Sequence, residues 1–256
     1  MDVDVARSQL RVARRFRGPV GAANGGFASG SLAALLGGAV EVTLRRPLPL
    51  ERPLGVRRDD DGALLLEDGG QLLAEARPST TEVELTVPDA PTPEEARAAA
   101  GKPDPGDPSF RECFVCGPAR TPGDGLRIFP GPVPGRPVWA APWTPDPSVG
   151  GPDGRVRDEV VWASLDCPGG LLAMEAAAVP ADTAVLLGRL TARLAAPPRV
   201  GTEYQVIAWF LGRDGRKLSA GSALLAAGGE VLAAARAVWI TVPRAALTTS
   251  ADGGST

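Results

Sequence analysis

The chain has no histidine among its 256 residues. That gap excludes every mechanism that runs through an imidazole: the serine triad, the cysteine–histidine pair and zinc sites with histidine ligands. Cysteine is scarce. Cys113, Cys116 and Cys167 are too few, and odd in number, for a disulfide framework, and they point to a cytoplasmic protein with reduced thiols. Charge of one sign is not in excess. A formal net charge of −3 argues against nucleic acid as the main partner. The local basic runs, Arg11, Arg14, Arg15 and Arg17 and then Arg45 and Arg46, read as solvated faces or strand edges. Long hydrophobic runs are also missing. The longest uncharged stretch, Gly18 to Val40, is full of Gly, Ala and Ser and is broken by Asn24, which makes poor material for a membrane span. The opening MDVDVARSQL is acidic and lacks the apolar core of a signal peptide. What remains is 44% hydrophobic and 22% charged, the composition of a soluble globular chain with a real core. Its length fits one large domain or two ordinary ones.

What is present is a repeat. GGQLLAEAR (Gly69–Arg77) returns as GGEVLAAAR (Gly228–Arg236). Upstream of each lies an alternating strand, a Pro-containing connection (Pro47, Pro197) and another strand. Further upstream lie two Gly-Gly pairs, Gly25-Gly26 and Gly169-Gly170, each opening a short apolar helix-like run. The offset between copies grows stepwise, as hairpin insertions produce. The largest insertion is the hairpin around LGRDGRKLSAG, with Asp214-Gly215 as its turn signal. The spacing therefore predicts a duplicated module: residues 1–90, a Pro-rich linker over 91–110 with a helical piece at Pro93–Ala100, residues 111–245, and a disordered tail over 246–256.

Each copy reads as a helix followed by strands. In the first, a helix over Gly26–Leu36 stopped by Gly37-Gly38 precedes strands near Val40–Arg46, Gly55–Arg58, Ala63–Glu67, Gln71–Arg77 and Glu82–Val87. In the second, strands near Leu126–Phe129, Val138–Trp143 and Val160–Leu165 precede a helix over Pro168–Ala178. Strands near Leu186–Leu194, Thr202–Phe210, Lys217–Ala226 and Glu230–Val242 follow. FASGSLAALLGG carries no charge and GGLLAMEAAAV only Glu175. A helix apolar on every side must be enclosed, and an antiparallel sheet curled round it meets that need. A pair of ordinary core helices in an α+β sandwich is the alternative.

This arrangement, with Asn24-Gly25-Gly26 and Asp166-Cys167-Pro168-Gly169-Gly170 at the helix starts, resembles the hotdog fold of acyl-CoA thioesterases. ECFVCGPARTPGDGLRIFPG (Glu112–Gly131) and the strand half from Gly188 to Trp239 strengthen the likeness. The resemblance implies an α+β double hotdog, two curved antiparallel sheets each wrapping a central helix, fused to imitate a homodimer. It also implies that an acyl-pantetheine arm enters at the seam. There the amides at a helix N-terminus would polarise the thioester carbonyl while a carboxylate activates water. The match has gaps. Relatives have His-Gly-Gly where this chain has Asn24-Gly25-Gly26, and the second copy has Pro168 in that slot. Their carboxylate lies nine residues after the His, where this chain has Ala33 and Ala177.

Asp166 and Glu175 are the remaining carboxylates at hand. Asp166 also reads as a helix cap ahead of Pro168, and Glu175 as a surface or paired residue. Asn24 reads either as a cap or as a carbonyl-binding side chain. The amides of Gly25, Gly26, Gly169 and Gly170 are the expected carbonyl contacts, and Arg213 and Arg216 on the long hairpin the expected phosphate contacts. Cys167 reads as a small buried residue or, less in keeping with a chain without histidine, a nucleophile. Cys113 and Cys116 read as structural thiols rather than zinc ligands, since only Cys167 could add a third sulfur. No metal and no cofactor beyond the CoA of the substrate is expected. The reading is hydrolysis of a small-molecule acyl thioester by Asp166, Glu175 and Asn24. A non-catalytic acyl-CoA-binding protein and a ligand-free structural protein are the alternatives, and further association into a homo-oligomer stays open.

Overall fold

Alternating apolar and polar residues set the strands, and Gly-rich apolar runs set the two longest helices. A computed structural model of the protein describes residues 9–79, 85–101 and 108–248. In chain order these form β1 (Gln9–Leu10), α1 (Gly25–Ala33), β2 (Val40–Leu44), β3 (Leu54–Arg58), β4 (Leu64–Asp68), β5 (Gln71–Pro78) and α2 (Pro93–Ala99). Then come β6 (Gly131–Pro132), β7 (Trp139–Trp143), α3 (Asp158–Ser164), α4 (Cys167–Ala176), β8 (Thr183–Leu194), β9 (Tyr204–Asp214), β10 (Lys217–Leu225), β11 (Val231–Pro243) and α5 (Ala245–Thr248). No helix among the described residues is long and apolar enough to cross a membrane.

The strands form one antiparallel sheet of 11, in the order β1-β3-β4-β5-β2-β8-β11-β10-β9-β7-β6. At its centre β2 pairs with β8, Val40 opposite Ala192 and Thr43 opposite Arg189. Outward from this seam the order is β5-β4-β3 on one side and β11-β10-β9 on the other. The chain thus lays down the same meander twice, once on each side. The repeated phrase explains itself here: it is the turn into β5 and the turn into β11, the strands next to the central pair. Gly69 and Gly70 have φ of 56° and 86°, and Gly229 has 85°. Only glycine takes those values without strain, so the phrase opens on glycines in both copies. Where two sheets were expected, the backbone ladder runs unbroken through β2 and β8.

The helices lie on the sheet unequally. α1 buries Gly26, Phe27, Ala28, Ser29, Gly30, Leu32 and Ala33 and packs on α3 and on β2 and β8. Its approach to α3 is close because Gly26 and Gly30 face it: a β-carbon on Gly30 would stand 2.6 Å from Trp162 Cβ. α4 packs on β9 and β10 through Leu172 and Ala173, but Glu175 and Ala176 are exposed. The all-round enclosure expected of this helix holds for its first turns only.

Several expectations fail locally. Val160–Leu165 is not a strand. It falls in α3 and its end, where Asp158 and Glu159 occupy the first turn and Val160 to Ser164 are all buried. A segment covered on every side loses the polar stripe that marks a helix, and its β-branched pair then reads as a strand. Leu126–Phe129 forms no sheet strand either. Its amides bond the Cys113–Cys116 loop instead, Leu126 N–H to Phe114 C=O at 2.8 Å and Ile128 N–H to Val115 C=O at 3.0 Å. The first helix ends at Ala33, short of Leu36, with Gly37 and Gly38 in the left-handed region as a stop signal requires. Of the strand expected over Glu82–Val87, residues 82–84 lie outside the described residues and 85–87 carry no strand. The expected tail is helical over 245–248, and 249–256 lie outside the described residues. Inside the expected linker, α2 starts with a reciprocal cap, Thr92 with Glu95, and buries Ala96 and Ala99 against the second half.

Candidate active site

The site forms where α1 begins. Asn24 caps the helix: its Oδ1 accepts the Phe27 N–H at 2.9 Å. Its Nδ2 points the other way and donates to Asp166 Oδ2, also at 2.9 Å. The cap reading of Asn24 is the one the geometry gives, and the Nδ2 that the other reading would turn to a substrate carbonyl is engaged by Asp166.

Asp166 departs from the capping expectation. It stands in the cap position of α4 yet makes no side-chain bond to that helix. Its carboxylate crosses to the other half of the chain, where Oδ2 accepts the Gly26 N–H at 2.9 Å. The unsatisfied amides at a helix start carry positive partial charge, so this is a favourable place for an anion. The backbone holds Asp166 there from both sides. The end of α3 delivers it through Asp166 N–H to Ala163 C=O at 3.1 Å, and Ser222 Oγ of β10 pins the preceding Leu165 carbonyl at 2.6 Å. Gly26 must be glycine, because its β-carbon would lie 2.5 Å from Asp166 Cβ. Asp166 is 2% exposed, and its Oδ1 is buried with no hydrogen-bond partner among the described residues. Burial pushes the carboxyl up to about 7, against the opposing pull of the Gly26 N–H and Asn24.

The three cysteines gather beside this pair. Their sulfurs all lie within 4.8 Å of one another, and Cys113 and Cys167 are 3.6 Å apart. Asn24 Nδ2 is 3.9 Å from Cys113 Sγ and 3.7 Å from Cys167 Sγ. Phe114 carries the loop into place by packing edge-on against Phe27 and Phe16, which are themselves stacked at 3.8 Å. Gly117 closes the tight turn with its N–H on the Cys113 carbonyl at 2.9 Å, and a β-carbon there would lie 2.5 Å from that oxygen. Bonds donated by the Cys116 and Cys167 thiols hold the Cys113 thiol well below its ordinary pKa, and the two donors are raised in turn. The sequence offered no periodic signal for this gathering. The glycine after CFVC and the cysteine at the α4 start were its only traces.

Two cavities meet here. A cleft of about 340 Å³ lies along the seam, lined by Gly25, Asp166 and Cys113 together with Leu44 of β2, Leu187 of β8 and Trp239 of β11. A larger space of about 860 Å³ lies along α4 and is lined by Cys116, Gly170, Met174, Glu175 and Trp139. Cys167 and Trp239 line both. Trp239 Nε1 is a buried donor with no partner among the described residues.

The structure brings Asn24, Gly25, Gly26 and Asp166 together and leaves the other sequence candidates apart. Gly26 N–H is engaged by Asp166, so it does not face the cleft as a free donor. Gly169 and Gly170 pack under Trp239. Glu175 is exposed on the wall of the larger cavity. Arg213 and Arg216 line neither cavity; they bond backbone carbonyls, Arg213 Nε to Gly215 C=O at 3.1 Å and Nη1 to Ala177 C=O at 3.3 Å, and Arg216 Nε to Thr241 C=O at 3.2 Å. A hairpin turn projects its charges into solvent, away from the seam. Arg45 and Arg46, set aside in the sequence as edge residues, line the seam cleft. Arg45 pairs with Glu75, whereas Arg46 makes no ion pair among the described residues.

No family model matches the chain, and no curated protein matches it. Solved structures do. A thioesterase of Novosphingobium aromaticivorans, described as putative in its own structure, aligns with a TM-score of 0.61 at 14% identity over 93% of this chain and 96% of that one. The TesB protein of Mycobacterium avium subspecies paratuberculosis aligns at 0.60 and 14% identity over 95% and 96%. The acyl-CoA thioesterase II TesB2 of Mycobacterium marinum aligns at 0.59 and 15% identity over 95% of both chains. This chain therefore has, over almost its whole length, the fold of those thioesterases: few helices on a large antiparallel sheet. The hotdog likeness drawn from its sequence holds at that level.

Proposed function

We propose that this chain hydrolyses an acyl thioester, of the acyl-CoA class, in the cleft along the β2–β8 seam. The observation that carries the reading is Asp166. A buried carboxylate from the second half is fixed through one oxygen by Gly26 N–H and Asn24, and its other oxygen has no partner among the described residues. That is the arrangement a general base needs: one oxygen held for orientation, one free to take a proton. The halves are read as two hotdog modules, residues 1–90 and 111–245, joined by 91–110, with α1 and α4 as their central helices. The mirrored strand order about the seam supports this.

In the reaction, water adds to the thioester carbonyl as Asp166 Oδ1 takes its proton. The C–S bond then breaks, and the leaving thiolate takes the proton held by Asp166, which returns to its carboxylate; the products are a free thiol and a carboxylic acid that ionises to solvent. Gly25 stands at the first position of α1, where its N–H has no partner within the helix, and it lines the cleft. We assign it to the carbonyl oxygen, where a backbone donor at a helix start stabilises developing negative charge. Asn24 acts as a positioning residue for Asp166. Arg46, which lines the cleft and makes no ion pair among the described residues, suits a phosphate of the carrier. Glu175 and the hairpin arginines take no part.

The test is hydrolysis of a panel of acyl-CoAs by the full chain and by Asp166→Asn. Asparagine keeps an acceptor for Gly26 N–H, so the fold survives while the base is lost. The expected drop in kcat is about 10²–10⁴-fold. Hydrolysis that is unchanged in Asp166→Asn removes the assignment. A second reading, binding without turnover, is favoured by one observation: Asp166 already occupies the Gly26 amide. Thermal stabilisation by acyl-CoA with no hydrolysis of any panel member would select it.

A further inference from the structure

We propose that Cys113, Cys116 and Cys167 bind a thiophilic divalent cation, Zn²⁺, with its fourth position turned toward Asp166. Four observations carry this, and none depends on the thioesterase reading.

The first is spacing. Sulfurs bound to zinc at about 2.3 Å in a tetrahedron lie about 3.8 Å apart. Cys113 and Cys167 stand at 3.6 Å, with Cys116 within 4.8 Å of both. Closing the trio on a metal needs only small side-chain rotations.

The second is the loop. Cys113-Phe114-Val115-Cys116-Gly117 folds back on itself, with Gly117 N–H on the Cys113 carbonyl at 2.9 Å, and this brings the Cys113 and Cys116 sulfurs within 4.8 Å of each other. Two cysteines at this spacing in a tight turn can present both sulfurs to one ion. Gly117 is required for that turn, as its clash distances record.

The third is charge. Asp166 stands beside three thiols in a buried site, and its hydrogen-bond donors among the described residues are the neutral Asn24 amide and the Gly26 N–H. A buried anionic group is costly unless it is paired or coordinates a cation. Asn24 Nδ2 also lies 3.9 Å from Cys113 Sγ and 3.7 Å from Cys167 Sγ.

The fourth is the unpartnered Asp166 Oδ1, which is buried beside the trio. Asp166 does not fall within the 4.8 Å group of ligand atoms, so a water held between the metal and Oδ1 fits the spacing better than direct ligation. Three protein ligands with an exchangeable fourth position also match the position of the trio, where Cys113 faces the seam cleft, Cys116 the larger cavity and Cys167 both. Thiolates select zinc over magnesium or calcium.

The test uses the full chain expressed with zinc in the medium. Elemental analysis should find about one zinc per chain, and exchange for Co²⁺ should produce a thiolate-to-cobalt charge-transfer band. The three thiols should react with a disulfide reagent only after a strong chelator is added. Cys116→Ser, at a half-buried position, should weaken zinc binding by more than the about 10–100-fold that loss of an outer-sphere partner costs. Asp166→Asn should keep the metal and its cobalt band, which separates this site from the hydrolytic assignment. Should Cys116→Ser fail to fold, the thiol count and the cobalt band of the unaltered chain decide the matter alone. Zinc far below one equivalent, three freely reactive thiols before chelation, or a Cys113–Cys167 disulfide in the freshly purified chain would each overturn the proposal.

Discussion

Replacing Gly30 by alanine sets two known effects against each other, and the structure says which wins. In a helix interior, alanine is favoured over glycine by about 1 kcal/mol, so a free helix would gain. Here the new β-carbon would stand 2.6 Å from Trp162 Cβ, 2.7 Å from Glu159 Cα and 2.8 Å from Trp162 Cγ. Carbon atoms in contact rest at about 3.5–4.0 Å, so α1 and α3 must part by about 1 Å at this point. The atoms struck are main chain and the root of a side chain, which cannot swing aside. Trp162 is 3% exposed, so its ring has no room to retreat. Overpacking of this kind costs about 1–3 kcal/mol. Because the clash is with rigid atoms, we take the upper part of that range. The net expectation after the helix gain is a loss of about 1–2 kcal/mol, which in a chain of this size lowers Tm by about 3–6 °C. Urea and thermal unfolding followed by circular dichroism measure it. Gly55→Ala on β3 is the control. Its nearest contact would be 3.8 Å, and its φ lies outside the left-handed region, so no loss is expected there. A Gly30→Ala chain as stable as the parent, or more so, would show that α1 and α3 do not meet through this glycine.

Asn24→Ala removes both the α1 cap and one of the two bonds that orient Asp166. It should cost about 1 kcal/mol of stability and lower kcat with KM little changed, whereas a purely structural cap would leave kcat alone. Thr92→Ala breaks the reciprocal cap of α2, in which Thr92 Oγ1 accepts from Glu95 N–H at 3.1 Å and Glu95 Oε2 from Thr92 N–H at 2.7 Å. The expected loss is about 1 kcal/mol by urea titration with activity intact; a drop in activity would mean that α2 reaches the cleft.

The parts of this protein that were legible in its sequence are those whose chemistry is local. The glycines of the repeated phrase announce two hairpins because left-handed turns need glycine wherever they occur. The long β-strands after Thr183 alternate, or run apolar, as half-covered strands must. Asn24 before Gly25-Gly26 is a cap by its own short-range geometry. Long-range facts were hidden. Asp166 looked like the cap of its own helix, and nothing in DCPGG says that its carboxylate crosses to an amide 140 residues earlier in the chain. Cys167 is separated from Cys113 and Cys116 by β6, β7 and α3, so the meeting of the three depends on tertiary packing. α3 misled for a physical reason: a fully covered segment has no polar face, and Val160-Val161 then speaks for a strand.

The middle of the sheet is held by few bonds. β2 and β8 share four residue pairs, from Val40–Ala192 to Thr43–Arg189. A chain nicked between its halves would therefore expose two ragged strand borders, each offering bare amides and carbonyls to whatever extended segment arrives first. Such borders recognise backbone, not side chains. The severed pieces would re-zip with their own counterparts or with those of another molecule, and exchanged pairs or fibrous aggregates would follow from crowding them together. For this fold, the peptide connection across the middle keeps an otherwise indiscriminate edge loyal to one partner.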